Sequence, residues 1–256
     1  MFLSDANSIH TFRWIESLTS NNIEIQLFSL FKPKKDLVEK YKKFNVKIVS
    51  PDLRSNIKDL REPNLSKIKY LQAITLLKKT IKDFEPKIVH AHYASSYGIL
   101  GYLSRFRPFI LSVWGSDIYF FPYKNKFYKF LLKLIIRYSD KVCSTSIAMK
   151  QIIEKEYKRF DVEVISFGVD TNLFKPSYNN QNFIVGTIKS IEDHNGIDCL
   201  IDAAKLVIDD YKKNIFFYII GEGSLKKEMQ QKAMDLQIDD KIKFEGFVEH
   251  DSVIKY

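Results

Sequence analysis

Apolar strand-like runs that alternate with helical stripes predict an α/β protein built on parallel sheets. Three observations carry this. Phe183-Ile184-Val185 stops at Gly186, a polar and cationic loop follows, and Ile197, Leu200, Ile201, Ala204 and Val207 then recur at helical spacing. A second apolar run, residues 215–220, ends in Gly221-Glu222-Gly223 and enters another helical pattern. The same alternation fills residues 1–165. In such βαβ units ligands collect beyond the strand C-termini, where helix N-termini direct free N–H groups outward. The loop after Gly186 carries Lys189, His194 and Asn195. Glycine admits the backbone closely and the lysine adds a full charge, so the chemistry suggested is binding of a diphosphate. The spacing is not diagnostic: Gly221-x-Gly223 lacks the third glycine of a dinucleotide fingerprint, and Gly186-x-x-Lys189 is not a P-loop. Tight turns in an α/β domain are the alternative.

In chain order, residues 1–3 read as a very short strand, and Asp5-Ala6-Asn7-Ser8 as a turn that caps a helix marked by Ile9, Phe12, Trp14, Ile15 and Leu18. Ser8, His10 and Thr11 stand at that helix N-terminus, a second candidate ligand edge, or a plain capping turn. Strands are expected at 23–30 and 46–49, a basic helix at 33–44, a polar loop at 52–64 and a long helix at 65–84 that Pro86 ends. Residues 87–93 form the next strand. His92 falls at its exit, where active-site groups gather, and His90 shares its side of the strand. A packed structural histidine is the plainer reading, and the pair lacks a third ligand for a metal. A strand at 108–113 ends in Trp114-Gly115-Ser116-Asp117; the carboxylate there could bind a sugar hydroxyl or simply make the turn. Residues 119–128 are rich in Tyr and Phe with lysines interleaved. That mixture suits anionic lipid or nucleic acid, or a core-facing helix with a solvated basic side. Strands at 140–144 and 162–165 close the first half. The polar stretch 177–182 reads as a linker, so the domains are expected to be 1–176 and 177–256. A helix at 224–236, a strand at 241–245 and a helix beginning at Asp251 complete the chain.

The sequence has 256 residues, 45% hydrophobic, with a formal net charge of +9. The core can be large, and the charge favours an anionic partner. Cys143 and Cys199 lie in apolar patterns and are expected to be buried free thiols. With no zinc spacing, no charged leader and no apolar run of about 18 residues, the expectation is a cytoplasmic protein that needs no metal and spans no membrane.

Taken together and in order, these segments resemble a retaining glycosyltransferase of family 4, in the GT-B class. The matching residues are Ser8-Ile9-His10-Thr11-x-Arg13-Trp14, His90-Ala91-His92, Trp114-Gly115-Ser116-Asp117, Phe167-Gly168-Val169-Asp170-x-x-x-Phe174-x-Pro176, Val185-Gly186-Thr187-x-Lys189 with Gly196-Ile197-Asp198, Gly221-Glu222-Gly223 and Gly246-Phe247-Val248. The resemblance implies two Rossmann-like domains facing across a cleft, the first for the acceptor and the second for a nucleotide-activated sugar. It implies that Lys189 neutralises the leaving diphosphate and that His92 lies near the donor sugar. Gly186, His194, Asn195, Gly221, Glu222, Phe247 and Val248 would line the donor site, and Ser8, His10 and Asp117 the acceptor side. No metal or other cofactor is implied. His194 departs from the family, which has a second cation there; an imidazole is ordinarily charged only below about pH 6.5, so phosphate neutralisation is expected to be weaker or pH-dependent. The family's pair of glutamates and its closing helix fall beyond Tyr256. The second domain is therefore expected to be incomplete, and the chain to have little or no transferase activity.

The expected function is sugar transfer to a lipid-linked saccharide in bacterial surface-polysaccharide or lipopolysaccharide assembly. Contact with an anionic membrane face is expected, and nucleic acid is not a partner. The alternative is a non-catalytic binding or assembly module that oligomerises through its incomplete second domain. A sugar-nucleotide epimerase ranks last, because the acid and base groups it needs are not discernible. A nicotinamide dehydrogenase is disfavoured, because no full G-x-G-x-x-G occurs.

Overall fold

A computed structural model of the chain describes residues 1–53, 63–175, 183–211 and 215–256. The chain divides into two compact units, Met1–Gly168 and Val169–Tyr256. The boundary expected at 176/177 lies outside the described residues.

The first unit follows the order β1 (Phe2–Leu3), α1 (Ile9–Thr19), β2 (Gln26–Phe28), α2 (Lys35–Lys43), β3 (Lys47–Val49), α3 (Pro63–Phe84), β4 (Val89–His92), α4 (Ile99–Ser104), β5 (Phe109–Val113), α5 (Ser116–Tyr119), α6 (Lys126–Tyr138), β6 (Lys141–Ser144), α7 (Ile147–Tyr157) and β7 (Val162–Val164). All its strands are parallel, in the order β3-β2-β1-β4-β5-β6-β7. The chain leaves β1 toward one edge and returns on β1's other side with β4, so the order reverses between β1 and β4. Open parallel sheets bind ligands at such a reversal.

Period-two alternation sends neighbouring side chains to opposite faces of the sheet. Phe2 and Leu27 pack with Ile15 of α1 and Tyr41 of α2 on one face. Leu3 and Phe28 pack with Leu77 of α3, Leu100 of α4 and Leu132 of α6 in the other core. Both faces are covered, which is why the central strands β4 and β5 are buried along almost their whole length. Gly101 lets α4 sit directly on β5, since a Cβ there would come within 2.2 Å of the Phe109 ring.

Several elements differ from expectation. β2 is shorter than 23–30, because residues 23–25 carry no ladder. A π-helical turn, Ala94–Gly98, precedes α4. The aromatic stretch is broken into α5, a 3-10 turn at Phe121–Tyr123 and α6, because Pro122 cannot continue a helix. Asp251 lies in a 3-10 turn, not an α-helix.

The second unit contains β8 (Phe183–Ile188), α8 (Ile197–Tyr211), β9 (Ile215–Ile220), α9 (Lys226–Asp235) and β10 (Ile242–Gly246). Its parallel sheet runs β10-β9-β8. Ile197, Ile201 and Ala204 of α8 and Met229 and Ala233 of α9 pack on Phe217 and Ile219. Cys143 is buried as expected, but Cys199 is exposed. It stands two residues from Ile197, nearly opposite the buried stripe of α8.

Candidate functional site

In the first unit the strand C-termini at the β1/β4 reversal carry a set of buried polar side chains. Ser4 follows β1, His92 ends β4, and both are buried together with Thr11 on α1. His92 Nδ1 lies 3.2 Å from Ser4 Oγ, which is 2.6 Å from Thr11 Oγ1. Beside it, His90 Nε2 lies 2.8 Å from Ser112 Oγ. Phe2, Trp14 and Trp114 surround the two imidazoles, with Trp114 centred 4.8 Å from the His92 ring. His92 Nε2 is buried with no hydrogen-bond partner among the described residues. A buried polar nitrogen left unmatched is costly, so a ligand or a water is the natural partner for it.

Burial fixes the charge of this cluster. It lowers His90 to about 3, helped by the positive Met1 amine. It also holds His92 well below an ordinary imidazole, helped by His90 and His10. Both rings are neutral near pH 7, so His92 can offer a lone pair or an N–H but no charge.

His10 is tied to this edge. It stacks on Phe167 at 3.8 Å and meets Trp114 edge-on at 5.7 Å. Ser8 precedes the first turn of α1, but its side chain makes no capping bond. The hydroxyl-binding role expected of Asp117 is corrected by the geometry. Its side chain is fully buried; one carboxylate oxygen accepts from Gly115 N at 2.8 Å and Trp114 N at 3.1 Å, the other from Ala94 N at 2.8 Å. Asp117 builds the loop beneath Trp114 and ties it to the exit of β4. Burial pushes its carboxyl up, and the three amides pull it back. At that exit Tyr93 has a φ of +77°, a conformation that costs a non-glycine residue on the order of 1–3 kcal/mol. Its hydroxyl makes a short contact with Ser116 Oγ.

The second unit has its own strand-end surface. Lys189 N donates to Ile220 O at 3.0 Å and Ile191 N to Glu222 O at 3.0 Å, so the β8–α8 and β9–α9 loops are joined backbone to backbone. That approach requires glycine. A Cβ at Gly221, whose φ is +153°, would lie 1.9 Å from Lys189 O, and one at Gly223 would lie 2.1 Å from Ile191 O. Gly186 differs: a Cβ there would meet only Tyr218 O at 3.9 Å. The Lys189 side chain is exposed, and its ammonium has no ion-pair partner among the described residues. Asn195 folds the loop by donating to Ser190 O and Ser190 Oγ, each at 2.8 Å. His194 is exposed beside it. Glu222, expected among the donor ligands, pairs with Lys226 at 2.5 Å. Phe247, just past β10, is 69% exposed, and Val248 is half-buried.

The structure thus brings His10 and His92 together through Trp114, and it places Lys189, Gly221 and Glu222 on one pair of loops. The sequence reading missed Ser4, Ser112 and Trp14, which hold the histidines. Period-two counting placed His90 and His92 on one side of β4, but nothing local joins them to β1.

Two parallel α/β units in tandem, each with its polar groups at the strand C-termini, define the GT-B class of glycosyltransferases. A family model described as Glycosyl transferase 4-like matches residues 1–146, and one described as Glycosyl transferases group 1 matches residues 169–256. The chain belongs to the glycosyl transferase 4-like family. Among solved structures it is similar to HepE of Anabaena in complex with UDP, at 18% identity and a TM-score of 0.74, covering 99% of this chain and 70% of that one. It is also similar to the apo form of the lipopolysaccharide outer core galactosyltransferase WaaB, at 16% identity and a TM-score of 0.64, over 97% of this chain and 68% of that one. Sucrose-phosphate synthase from Thermosynechococcus elongatus gives 12% identity and a TM-score of 0.72, over 99% and 71%. No curated protein matches the chain.

Proposed function

We propose that the chain binds a nucleoside-diphosphate sugar on its second unit and directs that sugar to a saccharide acceptor on its first, with retention of anomeric configuration. The observation that supports this most directly is Lys189: an exposed ammonium without an ion pair among the described residues, on a loop whose backbone is fixed to its neighbour. A fixed cation beside free space is what a departing diphosphate needs. Gly186 adds to it, since packing within the unit does not demand a glycine there.

In the proposed reaction the acceptor hydroxyl attacks the anomeric carbon from the face on which the nucleotide leaves. The new glycosidic C–O bond forms as the bond to the diphosphate oxygen breaks, and the hydroxyl proton passes to the leaving diphosphate. The protein's share is orientation and charge stabilisation. His92 Nε2 is suited to hydrogen-bond a sugar hydroxyl, with Ser4 and Thr11 fixing its ring. His10 and Ser8 lie on the acceptor side. Phosphate charge is met by Lys189 and backbone amides without a metal. The likeness to WaaB and to UDP-bound HepE supports a UDP-sugar donor and a lipid-linked acceptor in surface-polysaccharide assembly.

Calorimetric titration with UDP tests this reading. Lys189→Ala is expected to weaken binding by about tenfold or more, as for loss of a charge-assisted hydrogen bond, and EDTA to leave it unchanged. Equal affinity of wild type and Lys189→Ala would refute the assignment.

A further inference from the structure

We propose that the outward face of α6, with the turn leading into it, docks on an anionic lipid bilayer. Helix α6 is anchored by Leu132, Ile135 and Ile136, all fully buried. A helix seated this way ordinarily turns polar residues to water. Here the outer face carries Phe127 and Phe130, one turn apart and 65% and 58% exposed. The stripe continues at Leu134. Lys126, Lys133 and Arg137 recur along one edge of it at helical spacing. The approach to the helix adds Phe120 and Tyr123, 61% and 58% exposed. Between residues 118 and 139 the sequence contains no acid.

The turn is held in place. Glu156 of α7 takes a hydrogen bond from Tyr123 Oη at 2.7 Å and an ion pair from Lys129 at 2.7 Å. Lys129 is thereby neutralised, and the basic edge of Lys126, Lys133 and Arg137 remains. An apolar aromatic stripe beside a basic edge matches the two layers of a lipid surface. Aromatic rings settle at the headgroup level, and cations meet the negative surface potential. A single-stranded nucleic acid fits less well, because its binding sites are grooves, and these side chains project from a convex helix. The surface lies within the first unit and stands independently of the donor reading.

Sedimentation of the whole chain with vesicles, without nucleotide, tests the proposal. Vesicles of equal parts phosphatidylcholine and phosphatidylglycerol should retain the protein at low salt on the order of a hundredfold better than phosphatidylcholine alone, given three basic residues at the surface. High salt should reduce that preference. Phe127→Ser/Phe130→Ser, at exposed positions, and Lys126→Glu/Lys133→Glu, at an exposed and a half-buried position, should keep the circular dichroism of the wild type and each lose most of the retention. The proposal is overturned by no sedimentation with the mixed vesicles at low salt, or by undiminished binding of the phenylalanine variant. It is also overturned if polyglutamate retains wild type and that variant equally, which means charge alone. A wild-type dimer that the same substitutions dissolve means that a second copy covers the face, and overturns it too.

Discussion

His90 and His92 are imidazoles kept neutral by burial, and acid should find them. A base whose folded-state pKa is depressed lends stability that is complete above its unfolded pKa, near 6.5, and is lost as pH falls toward its folded value. For His90 that window runs from about 6.5 down to about 3. One such group forfeits on the order of 2 kcal/mol by pH 5, and His92, lowered in the same direction, adds to the slope. The melting temperature is therefore expected to drop between pH 7.5 and pH 5, and to drop less in His90→Gln. Parallel curves for the two proteins would remove the histidine from the cause. At this scale the sequence was informative where a role is local. Lys189 stands in a strand–loop–helix pattern that places it at a strand end without further knowledge. Asp117 was equally visible as a carboxylate at a strand exit, yet nothing in the sequence separates an acid facing water from one facing three amide donors. Ser4 was invisible as a partner of His92, because 88 positions separate them and only the β1/β4 pairing brings them together.

Among the elements, the two loops of the second unit make the sharpest contrast between glycines. Gly221→Ala forces a Cβ against Lys189 O in a backbone conformation that favours glycine. It should destabilise the unit by about 1–3 kcal/mol or more and abolish UDP binding with it. Gly186→Ala meets only Tyr218 O, at ordinary van der Waals distance, so it should leave the melting temperature nearly unchanged while weakening UDP. Thermal melts with and without UDP distinguish these outcomes, and a Gly186→Ala protein as unstable as Gly221→Ala would contradict the geometry. Periodicity gave the order of strands and helices along the chain. It did not give the break at Pro122 its consequence: the aromatic stretch reads as one amphipathic run, and the turn before α6 exists because proline cannot continue a helix while Glu156, far along the chain, captures Tyr123 and Lys129.

For the whole molecule, the division into two compact units sorts the variants. Substitutions in the second unit, such as Lys189→Ala, should change UDP affinity. Ser4→Ala in the first unit should leave UDP affinity within about twofold and weaken instead the extra affinity that a UDP-sugar gains over UDP, by roughly the worth of one hydrogen bond. Titrations of both ligands with both variants check the split; a Ser4→Ala protein that has lost UDP itself would place the nucleotide elsewhere. Among the described residues no helix is long and apolar enough to cross a membrane. The chain spans 68–71% of the length of HepE, WaaB and sucrose-phosphate synthase.

The meeting of the loops at Gly221 and Gly223 bears on how such a protein could be re-engineered. Each loop is the floor on which the other rests, so neither can be exchanged for a foreign one without opening a clash or a gap beneath it. Transplanting donor preference from another transferase therefore calls for moving residues 186–196 and 220–225 as one graft, because a chimera carrying either segment alone inherits a broken seam.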